Sequence, residues 1–330
     1  MRIAALCNAP GSPVPASLRR ERGRLDDRRR LCERSDRPGG AASRSGRRGG
    51  ALLLAAVTGV CRTLPLETGY RLADFASDLH RRLSRRRRQA VEQNLRVLVG
   101  APPARIVRDV FRCHGRFVFE LLRGPEPEAS CRFEGREAFE RAHARGRGVV
   151  LAVPHTGNFE VGGAALAKAG FPVHAVAGIQ LTRRWTEELR RRQERAGLPI
   201  LPPGMASWRR IPRLLARGEV VALLVDGDLF HGGLVVDAFG APVPFPLGPA
   251  KLCARTGAAL LPAYALRTPD GGHVARFLDE IPVEALGVRR STERLAATLA
   301  DVLRRHPEQW MIFRPLFARP AAAAETEAAP

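Results

Sequence analysis

Lysine is almost missing from this chain of 330 residues: Lys168 and Lys251 are the two it has, so a formal charge of +21 is carried almost wholly by arginine. Long apolar runs are missing too. A membrane-spanning helix needs about 20 apolar residues, and the best stretch, Ala51 to Cys61, meets Arg62 before reaching that length. The six cysteines, Cys7, Cys32, Cys61, Cys113, Cys131 and Cys253, form no C-x-x-C pair, which argues against a structural zinc module and fits a reducing compartment. Among the histidines, His80, His114, His143, His174, His231, His273 and His306 show no ligand spacing, so neither a metal nor a cofactor is expected. No G-x-S-x-G elbow and no glycine-rich phosphate loop occurs, and Ser207 and Ser291 lie outside any nucleophile motif. A mechanism built on a nucleophilic serine is therefore disfavoured. Aromatic residues make up only 6% and are not interleaved with the basic ones, which weakens a nucleic-acid reading that +21 alone would support.

The charge present is concentrated towards the front. Residues 1–50 carry a net +8, residues 51–150 another +8, and the remainder +5. Residues 1–49 are rich in Arg, Gly, Ser and Pro without apolar periodicity and read as a disordered extension; 318–330 read as a disordered tail. Residues 50–130 read as a helical, membrane-associating region. Within it Tyr70, Leu72, Ala73, Phe75, Ala76, Leu79 and Leu83 recur at helical spacing and run into Arg81, Arg82 and Arg85 to Arg88. Such a helix is either an amphipathic core helix with a solvated basic end or a membrane-facing one with an arginine collar. Ala51 to Cys61 is better suited to lying in the interface than to spanning, although a single N-terminal anchor stays open.

From 131 to 317 strands and helices alternate. Strands are expected at 132–134, 149–153, 172–177, 199–201, 220–225, 234–239, 259–266 and 274–281, and helices at 86–99, 104–122, 136–145, 159–169, 181–196, 207–216 and 291–305. This predicts an α/β core, a mixed β-sheet flanked by helices and preceded by the helical N-terminal region.

The most informative run is Val149 to Glu160. A buried strand ends at Pro154, His155 follows, and Gly157-Asn158 turns the chain into an apolar helix. His155 is thereby expected at the carboxyl end of a strand, where substrates collect in open α/β sheets, beside the partial positive charge of a helix N-terminus. Glu160, five residues on, is the expected partner for the far ring nitrogen, leaving the near one to take a proton. Asn158 is expected to meet substrate. Asp226 and Asp228 follow another strand and are further substrate-binding candidates. Lys251 and Arg255, four apart on the helix opened by Gly248-Pro249, form a candidate anion site.

The H-x-x-x-x-E spacing resembles the signature of the glycerolipid acyltransferase superfamily, and HTGNFE is similar to its bacterial lipid A and phosphatidylinositol mannoside acyltransferase branch. Four further runs resemble the same branch in order: RRRRQAVEQNLRVL at 85–98, VVALLVDGDLFHGGLVVDAFG at 220–240, PFPLGPAKLCARTGAALLP at 244–262 and HPEQWMIFRPLF at 306–317. Two departures stand out. Gly227 replaces the basic residue usual between the acids, and Val176 to Gln180 lacks the aromatic-arginine pair of lipid A enzymes. The resemblance implies a membrane-associated acyltransferase at the cytoplasmic face of the bacterial plasma membrane. It would carry a fatty acyl group from acyl-CoA or acyl-carrier protein to a hydroxyl of a lipid or glycolipid acceptor, with His155 as general base and Glu160 orienting it. Anionic lipids are expected partners and nucleic acid is not. The alternatives are a basic nucleic-acid-binding protein and a degenerate lipid-binding relative without turnover.

Overall fold

A seven-stranded sheet organises the chain. The computed structural model describes residues 56–124, 131–176, 183–195, 197–202, 204–226 and 233–317. The extension at 1–49, the tail at 318–330 and Asp228 lie outside them. The strands are β1 (Cys131–Glu134), β2 (Val149–Val153), β3 (Val173–Val176), β4 (Ile200–Leu201), β5 (Val220–Leu224), β8 (Ala259–Arg267) and β9 (His273–Phe277), with β6 (Leu234–Val236) and β7 (Val243–Phe245) between β5 and β8. The sheet order is β1-β9-β8-β2-β5-β3-β4. Every pairing is parallel except β8 with β9. This is the mixed α/β sheet that the alternation of elements predicts.

Side-chain alternation sorts the core into two layers. On β2, Val150 and Ala152 join one apolar cluster while Val149 and Leu151 join another, as a two-residue period requires. The first cluster takes in α2 (Arg85–Val99), α3 (Ala104–Arg123), α7 (Met205–Ala216), α8 (Gly248–Thr256) and α9 (Val283–Arg305). The second takes in α4 (Arg136–His143) and α5 (Phe159–Lys168). Burial on both faces explains why β2, VVLAV, is apolar throughout. Two further helices are α1 (Leu66–Leu83) and α6 (Arg183–Arg195).

Several boundaries differ from the sequence expectation. The strand expected at 234–239 stops at Val236 and pairs antiparallel with β7, outside the main sheet; Pro244 there suits a peripheral ribbon. The strand expected at 274–281 ends at Phe277. The last helix begins at Val283 rather than Ser291, because a break at Gly287, with φ +72°, joins a short lead-in to it.

The helical region is fastened to the sheet through α3. Helix α1 lies close against it: a Cβ on Gly69 would fall 2.0 Å from the ring of Phe119. Asp74 and Asp78 of α1 each accept a two-pronged bond from Arg116 and Arg112 of α3. Near the end of α3, buried Glu120 accepts from the Tyr70 hydroxyl of α1 and from the Arg267 guanidinium of β8, with Nη2 at 2.9 Å. His273 Nε2 of β9 stands 3.4 Å away. Burial by itself would raise the Glu120 carboxyl pKa, but His273 and Arg267 overcome it and hold the group well below the usual carboxylate range. Among the described residues no helix is long and apolar enough to cross a membrane.

Removing the charge of Glu120 while keeping its shape leaves Arg267 buried opposite a neutral amide. Glu120→Gln is therefore expected to lower stability by about 3–5 kcal/mol, measured by urea denaturation. The sign with pH follows from the lowered carboxyl: its stabilisation is complete above the unfolded-state value, about 4.3 for a glutamate, and is lost as pH falls through the folded-state value. The wild type should lose stability below about pH 4.3 more steeply than the variant. A loss at neutral pH within the range of a surface ion pair, about 1 kcal/mol or less, would contradict this role.

Candidate active site

Strands β2 and β5 run parallel with Val153 opposite Leu224, and the Val225 amide extends the ladder to the Val153 carbonyl at 3.0 Å. Two residues past each paired end come His155 and Asp226. Register alone thus delivers an imidazole and a carboxylate to the same place on the carboxyl edge of the sheet. The His155 Nδ1 lies 2.6 Å from Asp226 Oδ1. The His155 amide donates to Oδ2 at 2.8 Å, and the Trp310 indole N–H donates to the same oxygen at 2.8 Å.

Asp226 is sealed in, its side chain 1% exposed, whereas that of His155 is 31% exposed. Burial pushes the Asp226 carboxyl pKa up, but the facing imidazole and the three hydrogen bonds bring it net below its ordinary value, so it is a carboxylate at neutral pH. A carboxylate only accepts, which places the ring proton on Nδ1 and leaves the Nε2 lone pair free. Among the described residues Nε2 has no hydrogen-bond partner. The surroundings of the carboxylate are apolar: Phe239 stacks on Trp310, and Phe239, Val243, Phe245 and Phe317 line a hollow beside Asp226.

The turn after His155 is held from the other side by the closing segment. Gly157 adopts φ +53°, and a Cβ there would lie 2.5 Å from the Ala265 carbonyl oxygen, so only glycine fits. Its amide donates to the Gln309 carbonyl at 3.2 Å, and the Met311 amide donates to the His155 carbonyl at 2.9 Å. The Gln309 side chain pairs with the Arg267 backbone, accepting from its N–H at 2.8 Å and donating to its carbonyl at 3.0 Å. Asn158 caps α5, its Oδ1 accepting from the Val161 amide at 3.0 Å. Its Nδ2 donates to Glu120 Oε2 at 2.6 Å.

Three expectations from sequence are corrected here. Glu160 does not hold the ring: its carboxylate accepts from the Gln193 amide of α6. At about 100° of rotation per helical residue, Phe159 is the one turned to the imidazole, at 5.6 Å between ring centres, and Glu160 is carried round towards α6. Asn158 is 2% exposed and its amide is committed to the helix cap and to Glu120, so it acts within the protein rather than as a substrate contact. Asp226, expected to bind substrate, instead partners His155. Lys251 and Arg255 are both exposed on α8, on one face as their spacing requires. Trp310, Gln309, Glu120 and Arg267 enter the constellation without a sequence signal strong enough to pick them out; the P-E-Q-W run held two of them. Among the described residues no three His, Cys, Asp or Glu side chains are grouped as a metal site.

Residues 40–319 match the family described as bacterial lipid A biosynthesis acyltransferase. The chain is also similar to the phosphatidylinositol mannoside acyltransferase of Mycolicibacterium smegmatis, 30% identical over 245 residues that cover 69% of this chain and 78% of the relative. The phosphatidylinositol mannoside acyltransferase of Mycobacterium tuberculosis is 30% identical over 248 residues, 69% of this chain and 76% of that one. The family match takes in every residue of the constellation at the sheet edge, and by it the chain belongs to the bacterial lipid A biosynthesis acyltransferase family and is an acyltransferase.

Proposed function

We propose that the protein carries a fatty acyl group from a CoA or acyl-carrier-protein thioester to a hydroxyl of a glycolipid at the cytoplasmic face of the plasma membrane, with His155 as general base and Asp226 orienting it. The observation that carries this reading is the polarity of the ring, with Nδ1 on a buried carboxylate, Nε2 without a hydrogen-bond partner among the described residues, and the side chain 31% exposed. The acceptor hydroxyl gives its proton to Nε2 as its oxygen attacks the thioester carbonyl. Asp226 stabilises the imidazolium that results. Helix α5 starts beside His155, and its N-terminal partial charge favours the oxyanion of the tetrahedral intermediate. Collapse expels the thiolate, which takes the proton back from the imidazolium. The steps use no cofactor.

The relatives' names support a mannosylated phosphoinositide as acceptor. Lys251 and Arg255 are the residues we assign to the donor's phosphates. For the membrane face we assign α1, whose Leu72, Phe75, Leu79 and Leu83 are 54%, 72%, 47% and 74% exposed. At 100° per residue they share an arc of about 80°, and exposed Arg82 borders it, followed by exposed Arg85 and Arg86 at the start of α2. Anionic headgroups suit that collar, with about 1 kcal/mol per basic residue near the surface.

In Asp226→Asn the amide can offer the ring a donor, which favours the tautomer with its proton on Nε2 and abolishes the base. This variant and His155→Ala should each lose at least about a hundredfold in kcat while remaining folded, followed as thioester consumption. Turnover within a few fold of wild type in either would remove the mechanism. Separately, Phe75→Asp combined with Leu79→Asp withdraws two side chains each contributing about 1.5–3 kcal/mol when buried. Flotation with vesicles containing phosphatidylinositol should fall at least about tenfold with an unchanged melting midpoint; undiminished flotation would move the membrane face elsewhere.

A further inference from the structure

We infer that Glu120 is a positioning residue for acyl transfer, holding the turn that carries His155 through Asn158; the inference rests on the acyl-transfer reading above. Two descriptions of Glu120 compete. In one it is a buried counter-ion that fastens α3 to β8 and has no bearing on turnover. In the other its second oxygen is a fixed anchor for the catalytic turn.

The geometry favours the second. Arg267 already neutralises Glu120, with Tyr70 and His273 completing its surroundings, yet Oε2 also receives Asn158 Nδ2 at 2.6 Å. That bond fixes the sense of the Asn158 amide. Its nitrogen must face the carboxylate, so its oxygen faces the Val161 amide and caps α5. Asn158 is three residues from His155, and the turn between them has no slack: His155 is tied to Asp226, Gly157 to the Gln309 carbonyl and Asn158 to Glu120. Gln309 is itself bound to the Arg267 backbone. Two of the three ties therefore lead back to the Glu120–Arg267 pair, on the side of the turn opposite Asp226. A carboxylate held well below its usual pKa range by His273 and Arg267 keeps this anchor ionised wherever the base is competent.

Asn158→Ser separates the two roles of the amide, because a serine hydroxyl still caps a helix but is too short to reach Glu120. Glu120→Gln and the double variant complete a cycle. The readouts are kcat and KM per folded enzyme, using palmitoyl-CoA and phosphatidylinositol mannoside vesicles, and the downfield Nδ1 proton that His155 shares with Asp226, observed by NMR. We expect Asn158→Ser to lower kcat about tenfold or more, the scale of a small misplacement of a catalytic group, with KM little changed and the Nδ1 proton signal broadened or lost. Adding Glu120→Gln should lower kcat no further. Wild-type kcat together with an intact Nδ1 signal in Asn158→Ser would overturn the inference, as would losses that simply multiply in the double variant. If Glu120→Gln fails to fold, Asn158→Ser alone decides. A wild type that shows the shared proton but consumes no thioester with any lipid hydroxyl would instead overturn the acyl-transfer reading, and the two failures are told apart by the signal.

Discussion

The pairing of β2 with β5 is the constraint on which the site depends. A carboxylate as deeply buried as Asp226 is tolerable only when its oxygens are fully engaged, and the donors come from two distant stretches of chain: the His155 ring and amide, and the Trp310 indole. A slip of one residue between the strands would turn the side chains of one of them to the opposite face and leave the charge unmet. The same register that completes the sheet also sets the tautomer of the imidazole. Fold and chemistry share one set of hydrogen bonds at this point.

A second buried carboxylate works from the other side. Asp226 is supplied by the sheet and Glu120 by the helical region, and the HTGN turn lies between them, bonded to both. The helical region is thus more than an attachment. Tyr70 places α1 in the same network, so the helix whose outer face is apolar and exposed touches, through its inner face, the group that fixes Asn158. If the outer face seats on a membrane as proposed, that seating and the order of the turn would be linked through one helix.

Much of this was legible in the sequence, and the failures have physical reasons. The central strands are legible nearly to the residue because, buried on both faces, they are unbroken apolar runs; the limits expected for β2 are the observed ones. The sequence puts His155 and Asp226 each at a strand's carboxyl end, but not side by side, since their adjacency depends on strand order rather than on spacing. Glu160 is the sequence's candidate partner because it is near along the chain. Helical rotation takes it away, and nothing in the H-x-x-x-x-E spacing says which way the first turn faces. Glu120 was hidden within an otherwise ordinary amphipathic helix, where a single acid is usually a solvated one. Trp310 packs in the core against Phe239 and its indole N–H carries the additional role; a buried tryptophan generally needs a partner for that group.

The arginine excess has two origins once the contacts are known. Arg112, Arg116 and Arg267 engage carboxylates with both prongs of the guanidinium across elements. That geometry requires a planar fork and is closed to lysine, whose ammonium is a point charge. Replacing any of the three by lysine would keep the net charge while removing a joint. Other arginines, such as Arg209, Arg210 and Arg213 on α7, are exposed and add only to the overall field, where lysine would serve equally well. Net charge therefore overstates what is available to an anionic surface: part of the +21 belongs to the architecture, and the remainder is what phosphate groups on a lipid or a donor would meet.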